Sequence, residues 1–276
     1  MQIHKVAAFT ENGSGGNPAG VVLAETLPEQ ETMQRIAAEV GYSETAFAAP
    51  SGESWQTRYF SPESEVPFCG HATVALGAVL AEEKGAGRYQ LSLSGGVIEV
   101  EAIMKEGMGY STLCSLATRN GPVSDTLVEE ALALFGYPGD ALDRNLPPRL
   151  MSAGAEHLFL ALDSRERLSA MSYDLEEGRA FMRHHGLVTV ALVWREAERL
   201  FHARNAFASG GVIEDPATGA AAAALAGMLR DQGILTQGEL TILQGADMGR
   251  TSRIVVRWDD PVGSPVMVSG TAAKIA

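Results

Sequence analysis

The chain has 276 residues, of which 46% are hydrophobic and 20% are charged, a composition typical of a globular protein rather than a disordered or membrane-bound one. The formal net charge of −13 argues against a nucleic-acid surface, because neutralising phosphate groups requires clustered lysine and arginine side chains. At this length the chain suits two modest domains or one large domain, each with its own core.

The first half of the chain alternates strand and helix patterns. β-Rich runs lie on either side of a dense turn signal at 12–18, and residues 29–40 have helical apolar spacing, with Gly41 placed to end the helix. A loop at 68–73 then leads into a very apolar helix. The sequence therefore predicts strands at 3–9, 19–23, 43–49 and 55–60, helices at 29–40 and 74–80, and a hairpin at 89–103.

The second half repeats this order of elements. Phe60 and Phe207 occupy corresponding places ahead of Gly70 and Gly219, and each of these glycines precedes an apolar helix. The predicted elements are strands within 150–162, 187–194 and 200–207, helices at 175–184 and 221–229, and a hairpin-like region at 240–258. Two equivalent halves imply a pseudo-twofold relationship, with a ligand site at the interface between the domains.

The two apolar helices define the predicted fold class. Each is apolar nearly all round, so each must be enclosed rather than laid on a surface. We therefore predict an α/β (α+β) protein with two pseudo-symmetric domains, each a curved, mostly antiparallel sheet around a central helix. The N-terminal domain is expected over 1–118, joined by a C-terminal strand within 265–276, and the C-terminal domain over 119–264.

Neither secretion nor membrane insertion is expected. The alternating pattern of residues 1–6 is unlike a signal peptide, and the longest apolar run, 220–229, is half of the roughly 20 residues that a membrane span requires. Two cysteines, Cys69 and Cys114, are too few for a disulfide framework, and Cys114 is interpreted as a small buried apolar residue. A cytoplasmic enzyme is the default expectation.

Two loops that lead into helices are the strongest candidates for a site. Gly70 and Gly219 each open a helix, so backbone N–H groups are bare where a ligand can approach closely. Two such helix ends facing each other would hold an anionic small molecule between their positive dipoles. Because Glu44, His71 and Asp215 accompany these loops, we interpret the region as an active site.

At these residues the chain resembles the PhzF-like isomerase family of phenazine biosynthesis, which shares its fold with diaminopimelate epimerase. The resemblance covers the chain from near residue 10 to the C-terminus, with six segments in the family's order. These segments are 16–21 (GNPAGV), 43–47 (SETAF), 69–73 (CGHAT), 214–219 (EDPATG), 244–250 (QGADMGR) and 268–270 (VSG).

The resemblance implies cofactor-free proton transfer on a small carboxylated or amino-substituted compound, by a homodimer. It places the acid–base glutamate at Glu44, with His71 and Asp215 as its polar partners. Two positions depart from the best-studied members, which have proline in place of Ala72 and a serine that binds substrate in place of Ala220. These departures weaken the expectation of a phenazine-precursor substrate more than that of proton-transfer chemistry.

The predicted partners are a small anionic substrate and a second copy of the chain, without nucleic acid or membrane. Neither a cofactor nor a metal is predicted, because residues 13–16 lack dinucleotide-loop spacing and the adjacent His184 and His185 point to different sides of a helix. The predicted catalytic residues are Glu44, His71 and Asp215, and the predicted substrate-binding or anion-binding residues are Asn17, Ser43, Gly70, Ala72, Thr73, Thr218, Gly219, Ala220 and Gln244.

Other interpretations remain open for these residues. Glu44 could be a solvated strand-edge glutamate, His71 a neutral core histidine, and Asp215 a helix N-cap with Pro216 at the first helical position. For the whole protein, the alternative is a catalytically silent metabolite binder of the same fold. An epimerase or racemase with two thiols is less favoured, because Cys69 matches the first thiol but proline stands where the second is needed.

Overall fold

The structure is a computed structural model that describes residues 1–259 and 261–275. The chain divides into two compact units: unit 1 comprises Met1–Cys114 and the chain from Ser269 onward, and unit 2 comprises Ser115–Val268. The helices are α1 (Gln30–Val40), α2 (Gly70–Lys84), α3 (Asp125–Leu134), α4 (Arg165–Ser169), α5 (Leu175–His184) and α6 (Gly219–Asp231). The strands are β1 (His4–Thr10), β2 (Asn17–Leu23), β3 (Glu44–Ser51), β4 (Ser54–Phe60), β5 (Glu65–Val66), β6 (Gly87–Leu93), β7 (Gly96–Lys105), β8 (Met108–Cys114), β9 (Arg119–Gly121), β10 (Arg149–Ser152), β11 (Glu156–Ala161), β12 (Thr189–Ala197), β13 (Leu200–Ala206), β14 (Glu214–Asp215), β15 (Gly238–Gln244), β16 (Ser252–Trp258) and β17 (Met267–Lys274).

The sheet of unit 1 closes on itself around α2. Neighbouring strands follow the order β17, β1, β2, β3, β4, β6, β7 and β8, and β8 pairs in turn with β17. The β2–β3 and β4–β6 pairs are parallel, whereas β1–β2, β1–β17, β3–β4, β6–β7 and β7–β8 are antiparallel. Because each strand of this ring has a neighbour on both sides, the apolar helix inside is enclosed.

Helix α2 fits within the ring because small residues let it approach the strands closely. Every residue of α2 from His71 to Ala81 is buried. At Gly77 an added Cβ would lie 2.6 Å from the hydroxyl oxygen of Ser111, and at Gly109 it would lie 2.2 Å from the Cβ of Ala78. Both distances are shorter than van der Waals contact, so glycine at these positions sets the separation of α2 from β8.

Unit 2 repeats the strand pairing of unit 1. Its strands follow the order β9, β10, β11, β12, β13, β15 and β16, with parallel pairs at β11–β12 and β13–β15. The short β14 pairs with β13 as β5 pairs with β4. Helix α6 packs against β9, β10, β11 and β16, and its residues from Ala221 to Arg230 are buried. The internal repeat seen in the sequence is therefore a repeat of topology.

The remaining helices cover the outer faces of the sheets. Helix α1 buries Met33, Ile36 and Ala37 against an apolar cluster and ends at Gly41, whose φ of 70° is left-handed. Helices α3 and α5 bury apolar residues in a second cluster. The interpretation of Cys114 as buried was wrong, because this last residue of β8 is exposed. No helix within the described ranges is long and apolar enough to cross a membrane.

Candidate active site

The first group of polar side chains in the site lies in unit 1, where the start of β3 meets the start of α2. Nε2 of His71 lies 3.3 Å from Oε2 of Glu44 and 3.3 Å from Oγ of Ser43. Sγ of Cys69 lies 3.3 Å from Nδ1 of His71 and 3.9 Å from Nε2. The imidazole therefore contacts a carboxylate, the neighbouring hydroxyl and a thiol.

Strand pairing holds Glu44 at this position. It is the first residue of β3, and it pairs in parallel register with Ala19 of β2. Asn17, the first residue of β2, is buried two residues earlier on that neighbouring strand. The Glu44 side chain is 19% exposed and that of His71 is 8% exposed. Glu44 is therefore neither a fully solvated edge residue nor sealed from a ligand.

A chain of hydroxyl groups fixes the first turn of α2. The Thr73 hydroxyl donates to the carbonyl of Cys69 at 2.7 Å, and the Tyr59 hydroxyl lies 2.7 Å from the Thr73 oxygen. Burial raises the pKa of Tyr59 far above its ordinary value, so its O–H is retained and donates to Thr73. Thr73 and Ala72 are fully buried and support the helix start, which places Cys69 and its neighbours rigidly.

Gly70 opens α2 and leaves space beside it. An added Cβ at this position would have no heavy atom within 4 Å. Cys69 precedes it as the N-cap residue with extended backbone, and no side chain caps the helix there. An uncapped helix start with free space is a place where backbone N–H groups and the helix dipole favour an anion.

The second group lies in unit 2 around Asp215. The Thr218 hydroxyl donates to Oδ2 of Asp215 at 2.6 Å. The Gln244 side chain joins the two ends of this loop: its NH2 group donates to the carbonyl of Asp215 at 2.7 Å, and its carbonyl oxygen accepts from the Thr218 backbone N–H at 3.1 Å. Gly219 and Ala220, the first two residues of α6, are partly exposed beside this loop.

The interpretation of Asp215 as a helix N-cap with Pro216 at the first helical position was wrong. Helix α6 begins at Gly219 with Thr218 as its N-cap residue. Asp215 instead belongs to the two-residue strand β14, where it pairs with Asn205 of β13. Strand pairing with β13 keeps Asp215 in extended backbone, so the helix starts three residues later than the Asp-Pro pattern indicated.

A chain of buried hydrogen bonds supports the Asp215 loop through Gln244. The side-chain NH2 group of Asn205 donates to Oε1 of Gln244 at 3.0 Å. The Thr189 hydroxyl donates to the side-chain oxygen Oδ1 of Asn205 at 3.4 Å. Since the Thr189 proton is used there, Nδ1–H of His157 donates to the Thr189 oxygen at 2.8 Å. Burial lowers the pKa of His157 to about 4, so this imidazole is neutral.

A buried ion pair anchors the same strand on its other side. The Arg204 guanidinium donates to both carboxylate oxygens of Glu214, which precedes Asp215, and to the carbonyl of Ser169. Burial alone would lower the pKa of Arg204, but its hydrogen bond to Glu214 and the nearby charges of Glu214 and Asp247 raise it. The arginine therefore stays charged and holds β14 in place.

The predicted residues thus form two local groups. Glu44, Ser43, Gly70 and His71 come together in unit 1, and Asp215, Thr218, Gly219, Ala220 and Gln244 come together in unit 2. Sequence reasoning weighed Cys69 only as a thiol of a rival enzyme class and missed its contact with His71, although the two-residue spacing was visible. It missed Tyr59, Asn205 and His157 because nothing in the linear sequence relates them to the helix starts.

Comparisons with known proteins agree with this architecture. A sequence profile of the family described as phenazine biosynthesis-like protein (PhzC-PhzF) matches residues 6–276. The chain is 34% identical over 264 residues to an uncharacterized isomerase of Deinococcus radiodurans, across 91% of this chain and 85% of that protein. It is 30% identical over 281 residues to the uncharacterized isomerase YfhB of Bacillus subtilis, across 98% and 95%.

A solved structure shows a similar fold. The crystal structure of a phenazine biosynthesis protein of the PhzF family from Bacillus anthracis superposes with a TM-score of 0.87 at 24% identity, covering 100% of this chain and 98% of that one. At this level of identity the likeness concerns the fold.

Proposed function

The chain belongs to the phenazine biosynthesis-like protein family and is an enzyme of the isomerase class, and from this premise we propose that it moves a proton within a small carboxylated or amino-substituted metabolite without a cofactor. The observation that carries the proposal is the pair of Glu44 and His71, whose side-chain atoms lie 3.3 Å apart at the start of α2. A carboxylate and an imidazole are groups that general acid–base catalysis uses most.

We assign the proton transfer to Glu44. Its carboxylate takes a proton from a carbon of the substrate and returns it to another position, so the substrate changes its bonding pattern and keeps its composition. This cycle consumes no oxidant, reductant or co-substrate. With 19% of its side chain exposed, Glu44 is accessible to a ligand and is still shielded from most bulk water.

We assign to His71 the role of holding Glu44 in place and relaying its proton. A neutral imidazole has one donor and one acceptor nitrogen, and Nε2 is the nitrogen that faces both Glu44 and Ser43. The buried position of the ring in the first turn of α2 limits its movement. A fixed imidazole keeps the carboxylate oriented through both halves of the proton transfer.

The start of α2 favours an anionic group on the substrate. Bare backbone N–H groups at Gly70 and the positive end of the helix dipole would bind a carboxylate, and the space beside Gly70 admits one. In unit 2, Ala220 provides no hydroxyl to a ligand, and Ala72 of unit 1 stands where the best-studied relatives have proline. We therefore propose a substrate other than a phenazine precursor.

Asp215 is the second acidic participant in the proposal. Its carboxylate is half-buried and accepts the Thr218 hydroxyl, while Gln244 holds the backbone of the same loop. These bonds give the side chain one defined orientation. The assignment rests on this local geometry together with the family resemblance.

Exchange of solvent deuterium into substrate tests the proposal. Wild type and Glu44→Gln are incubated in D2O with a panel of small carboxylated metabolites that have an acidic C–H bond, and deuterium incorporation is followed by mass spectrometry. We expect exchange into at least one compound with wild type, and a fall of about 100-fold or more with Glu44→Gln, since amide cannot accept the proton. Glu53→Gln, at an exposed turn, is the matched control and keeps full exchange.

Two results would contradict the proposal. Equal exchange by wild type and Glu44→Gln would remove Glu44 from the mechanism. Thermal stabilisation by a metabolite without any exchange or turnover across the panel would favour the alternative, a binding protein that uses the same fold to hold its ligand.

A further inference from the structure

Three side chains at the start of α2 offer a set of metal-ligand atoms. One carboxylate oxygen of Glu44, the thiol sulfur of Cys69 and one imidazole nitrogen of His71 all lie within 4.8 Å of one another. Cys69 and His71 are buried, and Glu44 is partly exposed. All three belong to unit 1, so the set is complete within one compact unit.

Two of the separations can be compared with those of tetrahedral coordination of one ion. Nε2 of His71 lies 3.3 Å from Oε2 of Glu44 and 3.9 Å from Sγ of Cys69. Around a tetrahedral zinc ion with ordinary bond lengths, such a nitrogen and oxygen are about 3.3 Å apart, and such a nitrogen and sulfur about 3.6 Å. The first distance already matches, whereas the sulfur has to leave its 3.3 Å contact with Nδ1 and move closer to Nε2.

We propose that Glu44, Cys69 and His71 form a binding site for one zinc ion, and that zinc bound there inhibits the enzyme. The inhibitory part rests on the proposed function, because an ion held by the Glu44 carboxylate occupies the group assigned to proton transfer. The binding part is independent of it, since it depends only on the three donor atoms.

The chemistry of the donors selects zinc among common divalent cations. A thiolate and an imidazole suit zinc, whereas magnesium and calcium prefer sites made entirely of oxygen atoms. Three protein ligands leave a fourth position for water, as in open zinc sites. A thiolate and a carboxylate also neutralise the two positive charges of the ion, which offsets the unfavourable positive end of the α2 dipole.

Hydrogen bonds and strand pairing also hold the three ligands in place. Two of its ligands lie two residues apart at one helix start, where the Thr73 hydroxyl donates to the Cys69 carbonyl and Tyr59 supports Thr73. The third ligand begins a strand held by pairing on both sides. Ligands on such fixed backbone lose little freedom when the ion binds, which favours affinity.

Metal titration of the protein alone tests the site. Tag-free protein stripped with a chelator is titrated with zinc against a chromophoric competitor, and separately with cobalt(II) as a spectroscopic probe. We expect one zinc per chain, and with cobalt a thiolate-to-metal charge-transfer band together with the intense visible bands of tetrahedral coordination. Loss of one ligand should weaken zinc binding by about 100-fold or more, beyond the effect of losing a supporting residue.

Matched variants locate the ion. Cys69→Ser and Glu44→Gln each remove one ligand with little change in size, and circular dichroism shows whether they fold. Cys114→Ser and His184→Gln change an exposed residue of the same type and keep wild-type binding. Undiminished binding by folded Cys69→Ser, or a cobalt spectrum without the thiolate band, would overturn the site.

Activity separates the site from the proposed function. With an exchanging substrate in hand, we expect one equivalent of zinc to abolish exchange by wild type and by Cys114→Ser, and a chelator to restore it. If zinc binds through all three ligands and deuterium exchange continues unchanged, the proposed inhibition is wrong, and so is the proposed role of Glu44 in proton transfer. Absence of zinc binding overturns this inference and leaves that role intact.

Discussion

Asp215 illustrates how one side chain can have both a structural and a chemical role at the residue scale. Its carboxylate accepts the Thr218 hydroxyl at 2.6 Å, and its backbone carbonyl accepts from Gln244 at 2.7 Å. The first bond needs only an acceptor oxygen, which an amide also provides. A negative charge, by contrast, is provided only by the acid. The two roles can therefore be separated by one substitution.

We predict that Asp215→Asn folds with little change in stability and loses most of the exchange activity. The asparagine carbonyl oxygen can still accept from Thr218, so the free energy of unfolding should change by less than about 1 kcal/mol. Loss of the charge should reduce deuterium exchange by about 100-fold or more. Urea denaturation and the exchange assay give the two values, and full exchange by this variant would reduce Asp215 to a structural residue.

Gly70 gives a second test at a single position. Its backbone is in an ordinary conformation with open space around an added Cβ, so Gly70→Ala should leave the free energy of unfolding unchanged or raise it by up to about 1 kcal/mol. The new methyl group would lie beside the helix N–H groups and weaken substrate binding, which raises KM more than it lowers kcat. Gly95→Ala, also in open space, is the control. An unchanged KM would show that substrate does not approach the α2 start.

At the element scale, close contact between α2 and β8 sets a limit on side-chain size. We predict that Gly109→Ala lowers the free energy of unfolding by about 1–3 kcal/mol, because its Cβ would lie 2.2 Å from the Cβ and 2.8 Å from the Cα of Ala78. Backbone cannot move away as a flexible side chain could. Urea denaturation measures the change, again with Gly95→Ala as the neutral control; equal stability of the two variants would mean that α2 shifts freely within the ring.

Elements defined by local signals could be predicted closely from the sequence. Helix α5 spans Leu175–His184, the predicted range, because the Asp174 side chain caps it and apolar spacing continues to its end. Helix α1 ends before Gly41 as expected. The family motifs were also sufficient to predict the family and the fold class, which the comparisons confirm.

Features that depend on contacts between distant residues could not be predicted in this way. Helix α3 has a capping Ser124, but it was missed because no element was assigned between the predicted hairpin at 89–103 and the strands within 150–162. The N-cap interpretation of Asp215 was wrong because pairing of Asp215 with Asn205 overrides the helix-start signal of Asp-Pro. The contact of Tyr59 with Thr73 was missed because it depends on β4 and the first turn of α2 together.

At the scale of the whole molecule, a buried histidine links stability to pH. His157 is fully buried; its Nδ1–H donates to Thr189, and among the described residues its Nε2 has no partner. Protonation would place a second N–H in apolar surroundings without an acceptor. Burial accordingly lowers the pKa of His157 to about 4, below the 6.5 of an unperturbed histidine.

The depressed pKa predicts an acid-sensitive component of stability. Above about pH 6.5, His157 is neutral in both the folded and the unfolded chain, and its contribution to the free energy of unfolding is fully present. As pH falls from about 6.5 toward 4, His157 of the unfolded chain binds a proton that the folded protein does not bind, so stability is lost. The loss should reach about 2–3 kcal/mol across this range.

Urea denaturation at a series of pH values, for wild type and His157→Gln, measures this loss. Glutamine does not titrate here, so the variant should have a flatter profile between pH 4 and 6.5 even if it is less stable throughout. His184→Gln, which changes an exposed histidine, should keep the wild-type slope; equal slopes for wild type and His157→Gln would show that the folded protein takes up this proton as readily as the unfolded chain.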